Sequence, residues 1–115
     1  MGRIPIELLR ELAEGLKRGF DLPNIYLTGS QSPIHPNEPR DDSDIDLVTY
    51  PFDYQERIDH YRKVNGRFRI KSSKHPELDG RLLCIGVFDP KDHTLSRRLV
   101  KGHSIEYWRR YMVKL

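Results

Sequence analysis

The sequence predicts an α/β (α+β) fold, a small mixed β-sheet with flanking helices, on three observations. Short apolar runs at 25–28, 43–48, 67–71 and 81–88 read as strands. Stretches at 5–17 and 54–64, with large apolar residues recurring every three or four positions, read as amphipathic helices. Turn-forming glycines and prolines separate them. With two further helices expected near the end, the order is α-β-β-α-β-β-α-α. In that order one core is buried between layers. At 115 residues the chain has the size of one domain, 1–115.

The first helix is expected from Pro5, a good first-turn residue, to Lys17, with Leu8, Leu9, Leu12, Leu16 and Phe20 on one face. Gly19 and Asp21-Leu22-Pro23 end it. A strand follows at Ile25-Tyr26-Leu27-Thr28 and stops at Gly29-Ser30. Pro33, Pro36 and Pro39 then forbid a regular helix between Ser32 and Arg40, leaving a loop on which His35 and Arg40 could reach a phosphate. An exposed polar loop is the plainer reading.

The second strand, Ser43-Asp44-Ile45-Asp46-Leu47-Val48, carries the most chemistry. Residues two apart on a strand share a face and lie roughly 6.6 Å apart, so Asp44 and Asp46 face one way and Ile45 and Leu47 the other. A solvated edge would explain two acids. Ile45, Leu47 and Val48, however, are apolar enough for a strand buried on both sides. Two like charges there repel and lose hydration unless a cation neutralises them. Hard carboxylate oxygens of this kind suit Mg²⁺, which completes its shell with water and substrate phosphate. Gly29 permits unusual dihedrals and close approach of a ligand, and a hydroxyl with successive N–H groups at a strand end can cradle phosphate oxygens.

Tyr54, Ile58 and Tyr61 recur at helical spacing after Asp53, an expected N-cap, and mark a helix from Tyr54 to Val64, after which Asn65-Gly66 turns the chain. Arg67-Phe68-Arg69-Ile70-Lys71 and Arg81 to Phe88 form a β-hairpin in which Arg67, Arg69 and Lys71 share one face. That face is either solvated or a basic stripe beside the acids, meeting triphosphate or RNA. Asp92 caps a helix bearing Leu95 and Leu99 that stops at Gly102. Ser104 caps a last one bearing Ile105, Trp108 and Met112.

Composition is that of a globular protein, with 32% charged and 37% hydrophobic residues. No apolar run approaches the ~20 residues of a membrane span and no signal-peptide pattern opens the chain, so the expectation is a cytoplasmic protein with no membrane partner. Cys84 is the only cysteine, which excludes an internal disulfide, and the five histidines lack metal-ligand spacing. A net charge of +3 mildly favours a polyanionic partner.

The arrangement of strand, Gly29-Ser30, thirteen residues and then Asp44-Ile45-Asp46-Leu47 resembles the signature of the nucleotidyltransferase superfamily, which includes DNA polymerase beta, the aminoglycoside nucleotidyltransferases, CCA-adding enzymes and the minimal nucleotidyltransferase antitoxins. The resemblance covers about twenty residues. It implies a nucleotidyltransferase-like single domain that transfers a nucleoside monophosphate from ATP or another NTP to a hydroxyl of RNA, protein or a small molecule, releasing pyrophosphate. Two Mg²⁺ ions, with Mn²⁺ as an alternative, would lie about 3.5–4 Å apart. The motif carries Asp44 and Asp46 over as metal ligands, and Gly29 and Ser30 as the phosphate turn. Arg69 joins them as a nucleotide-phosphate contact if the basic stripe flanks the pair.

Two departures stand beside it. The family begins a helix after the Gly-Ser turn, where this chain has prolines. It also takes a third carboxylate from a later strand, whereas Arg81 to Phe88 holds no acid. Asp79 before that run and Asp89 after it are candidates, both with ordinary turn readings. With no second domain, the acceptor would be held by the chain's own face, a twin subunit or a partner protein. A catalytically degenerate binding or regulatory module is the alternative, with an antitoxin-type protein-modifying partner as another form.

Overall fold

In a computed structural model of the chain, residues 2–91 and 109–115 are described. They form a five-stranded mixed sheet with two helices, a mixed α/β architecture as expected. Helix α1, Ile6–Gly19, starts directly after Pro5 and buries Leu9 and Ala13. Lys17 and Arg18 lie in its last turn, where positive charge complements the helix dipole. Strand β1, Tyr26–Thr28, ends where Gly29 takes a positive φ of 72°, and one 3₁₀ turn, Gly29–Gln31, follows. The prolines after it keep the segment out of helix up to β2, Ile45–Thr49.

Helix α2, Ile58–Val64, is shorter than expected at its start. Asp53 does not cap it. Its carboxylate accepts the Tyr61 hydroxyl at 2.6 Å, while residues 52–57 form turns. The hairpin is present as β3, Gly66–Arg69, antiparallel to β4, Leu82–Val87. A fifth strand, β5, Val113–Lys114, pairs antiparallel with β1. In the described part of the helix expected from Ser104 through Met112 only Arg109 is helical. Residues 110–111 form a turn and the strand begins at Val113, so the helix does not extend to Met112. Its residues up to Trp108, and the expected helix from Asp92 to Gly102, lie outside the described residues.

The strand order is β3-β4-β2-β1-β5, which puts β2 at the centre. β2 runs antiparallel to β1 and parallel to β4. Alternation splits the sheet cleanly. Leu27, Ile45, Leu47, Leu83 and Ile85 join Leu9 and Ala13 of α1 and Tyr61 and Val64 of α2 in one core cluster. Each fully buried Leu, Ile or Val among them contributes on the order of 1.5–3 kcal/mol. Asn24 closes the far end of the β1–β2 pair: its Oδ1 accepts the Tyr50 N–H at 2.8 Å and its Nδ2 donates to the Tyr50 carbonyl at 3.1 Å.

All five residues of β2 are buried, so the strand is covered on both faces. Val48 and Cys84, on the face away from the two helices, are 1% and 3% exposed. No helix among the described residues is long and apolar enough to cross a membrane.

Candidate functional site

The register places four strands in one row. Thr28 lies opposite Asp46, Asp46 beside Cys84, and Cys84 opposite Arg67. Residues directly across a ladder project to the same side, so all four share the face away from the helices. Extending the β2–β4 pairing by one residue sets Asp44 beside Leu82, which lies opposite Arg69. Asp44, Asp46, Arg67 and Arg69 therefore occupy one sheet face. Lys71 leaves it. β3 ends at Arg69, and Lys71 lines a groove with Leu8, Leu12 and Leu16 of α1, so the expected three-residue stripe is a pair.

Asp46 is buried at 5% exposure and Asp44 is half-buried. The Gly29 turn is built against Asp46: a methyl group at Gly29 would lie 2.5 Å from Asp46 Oδ2. Glycine is thus required twice, for its left-handed backbone and for the room its missing side chain leaves to the carboxylate. Ser30, the next residue, lines a cavity of about 310 Å³ together with Asp44, Asp46, Pro39 and Arg40. The four motif residues, separated in sequence by a proline loop, are brought together at one end of the central strands.

Of the loop residues proposed to reach phosphate, Arg40 lies at this cavity and His35 does not. The His35 ring packs 4.5 Å from that of Tyr111.

A second cavity measures about 530 Å³. Its walls include Arg69, Asp79, Arg81, Asp41 and Asp42. Asp44 is common to both. Arg69 donates from Nη1 to the Gly80 carbonyl at 2.6 Å, which fixes it at the rim.

Asp79 is exposed, and its Oδ1 accepts the Ser72 N–H at 2.9 Å in an ordinary turn, yet it faces the same cavity as Asp44. Asp89 is elsewhere. Five residues beyond Cys84 at about 3.3 Å each, it lies roughly 16 Å along the strand direction from the level of Asp46. There it is buried and bound by Gln55 Nε2 at 2.7 Å and the Lys91 N–H at 2.9 Å. On β4 itself, the positions beside the acids are Leu82 and Cys84, neither a carboxylate.

The donor set fits a hard divalent cation as a pair of carboxylates beside a serine hydroxyl. Among the described residues no group of three or more His, Cys, Asp or Glu side chains is arranged as a metal site. Residues the motif did not single out also shape the site: Gln31 and Ser43, both buried, and Arg81. Sequence signals for them were weak, since a glutamine in a turn and a serine opening a strand are common.

Comparison of the chain with protein-family models, curated proteins and solved structures finds no match.

Proposed function

We propose that this domain is a metal-dependent nucleotidyltransferase, moving a nucleoside monophosphate from an NTP to an acceptor hydroxyl. The observation that carries the reading is the packing of the Gly29-Ser30 turn against Asp46, with Ser30, Asp44 and Arg40 around one cavity. Asp44 and Asp46 would hold Mg²⁺, which when bound supplies charge neutralisation at the phosphates.

The turn's backbone and the Ser30 hydroxyl receive phosphate oxygens, and Arg40 and Arg69 offer further donors. The larger cavity, which shares Asp44 with the first, admits the acceptor hydroxyl. Of the carboxylates on its wall, which include Asp41, Asp42 and Glu77, we assign Asp79 to that hydroxyl's proton.

The test is incubation with each labelled NTP and Mg²⁺ in the presence of RNA and, separately, cell extract. Label should enter a macromolecular product, and Asp46→Asn should abolish it. Incorporation equal in wild type and Asp46→Asn would sink the assignment.

A second reading, a nucleotide-binding or regulatory module that no longer transfers, is favoured by Leu82 and Cys84 standing beside the acids. It predicts metal-dependent NTP binding with no incorporation.

A further inference from the structure

Gln31 follows Ser30 in the 3₁₀ turn, and its side chain is 1% exposed. Its amide is fully engaged. Oε1 accepts the Ile4 N–H at 2.9 Å, and Nε2 donates to the Gly2 carbonyl at 2.7 Å and to Ser43 Oγ at 2.8 Å. Ser43 directly precedes Asp44, so one buried side chain ties the turn that carries Ser30 to the strand that carries the acids.

Arg81, the residue just before β4, braces the same point. Its Nη1 donates to the Ser43 carbonyl at 3.1 Å and its Nη2 to the Gly2 carbonyl at 3.4 Å. Gly2 leaves no slack, because a methyl group there would fall 2.1 Å from the Arg40 carbonyl oxygen. Arg3 Nη1 completes the stitching by donating to the Ser32 carbonyl. The segment 2–4 is thereby locked between the turn and the start of β2.

We propose that Gln31 is the positioning residue of the site, setting the separation between the Ser30 turn and Asp44 so that one metal-bound nucleotide can meet both. The inference rests on the metal–nucleotide reading above. A buried amide with all its hydrogen atoms donated resists displacement, because moving it leaves Ser43, Gly2 and Ile4 with polar groups cut off from water. A site held to a fraction of an ångström by such supports loses binding or rate when they are removed.

The experiment titrates Mn²⁺ alone, and then Mn²⁺ with α,β-methylene ATP, into wild type, Gln31→Met, Ser43→Ala and Ser43→Thr. Calorimetry and the spin signal of unbound Mn²⁺ supply the readouts, at a temperature where circular dichroism shows each protein folded. Mn²⁺ alone reports on the carboxylates and should bind all four proteins within about twofold, whereas the metal–nucleotide affinity should fall about tenfold in Gln31→Met.

Ser43→Ala keeps the clasp on residues 2–4 and loses only the link to the strand. It should show the same selective loss if Gln31→Met does not fold. Ser43→Thr retains the hydroxyl and should restore wild-type affinity. Wild-type metal–nucleotide affinity in folded Gln31→Met or Ser43→Ala would overturn the proposal, confining Gln31 to a role in stability. Absence of metal–nucleotide binding by the wild-type protein would overturn both this inference and the functional reading beneath it.

Discussion

Adjacent residues of β2 meet different surroundings. Ile45 and Leu47 pack into the layer filled by α1 and α2, while Asp44 and Asp46 project to the opposite face, where Gly29, Ser30 and Arg40 gather. Both faces of the strand are buried, so burial alone does not distinguish them. Chemistry does. Apolar burial on one side stabilises the sheet, and the removal of a carboxylate from water on the other costs free energy that the first side must offset. The site is held in place by packing it does not touch, and substitutions on the two faces should therefore separate stability from ligand binding.

The largest loss of stability is expected from Leu47→Ala, which empties a fully buried position under the helices and should cost about 3 kcal/mol. Urea unfolding measures it. Metal affinity per folded molecule should be unchanged, and a parallel loss of both would break the separation between faces. Gly29→Ala comes next. A side chain in the left-handed region costs about 1–2 kcal/mol, and its methyl group must push Asp46 aside, so stability and Mn²⁺ binding should fall together.

Asp46→Asn sharpens the contrast from the other direction. Removing one of two like charges should leave stability within about 1 kcal/mol of wild type or raise it, while Mn²⁺ binding drops by roughly tenfold or more. A strongly destabilised Asn variant whose metal affinity is intact would reverse the assignment of that face.

The helix-covered side also carries a titration. Burial first, and then the hydrogen bond to Asp53, raise the Tyr61 pKa from 10.0 to about 12. A pKa raised in the folded state means that the fold keeps a proton the unfolded chain gives up. This contribution is complete below pH ~10 and is lost as pH rises through about 12. Urea midpoints at mildly and strongly alkaline pH should show the decline in wild type and less of it in Tyr61→Phe. The smallest stability effect belongs to Arg69→Gln, an exposed rim position. Its melting temperature should match wild type, with a raised KM for NTP. An unchanged KM would assign the arginine pair to solubility.

Much of the fold was legible because strong local signals agreed with tertiary structure. The chain bends at Asn65 ahead of β3, and the leucine spacing of α1 and the alternation through Phe68 survive as elements. So does the apolar character of Ile45, Leu47 and Val48 around Asp46, which announced a strand buried on both faces.

What escaped was decided by partners far along the chain. Val113 and Lys114 become a strand because β1 offers an unpaired edge, and Leu115 continues the pairing with its N–H on the Ile25 carbonyl at 3.0 Å. Lys71 departs from the face of Arg67 and Arg69 because β3 ends before reaching it. Asp53 has the chemistry of a cap but is taken by Tyr61, and α2 begins later. In the site, the resemblance to a known signature pointed to the juxtaposition of Gly29, Ser30, Asp44 and Asp46. The Gln31–Ser43 link has no spacing signature, because it depends on the path of the intervening loop.

The contact between Gly29 and Asp46 also constrains which sequences this fold tolerates. Two restrictions fall on position 29, one from its backbone dihedral and one from the carboxylate filling the space where a side chain would begin. Only the second depends on position 46. Were Asp46 replaced by glycine, the steric restriction at 29 would lift while the dihedral one remained. Alanine at 29 should then be less costly in that background than in the native one, and the difference measures how strongly the two positions inform each other. In a set of diverging copies, the two sites should vary as a coupled pair and not as independent letters.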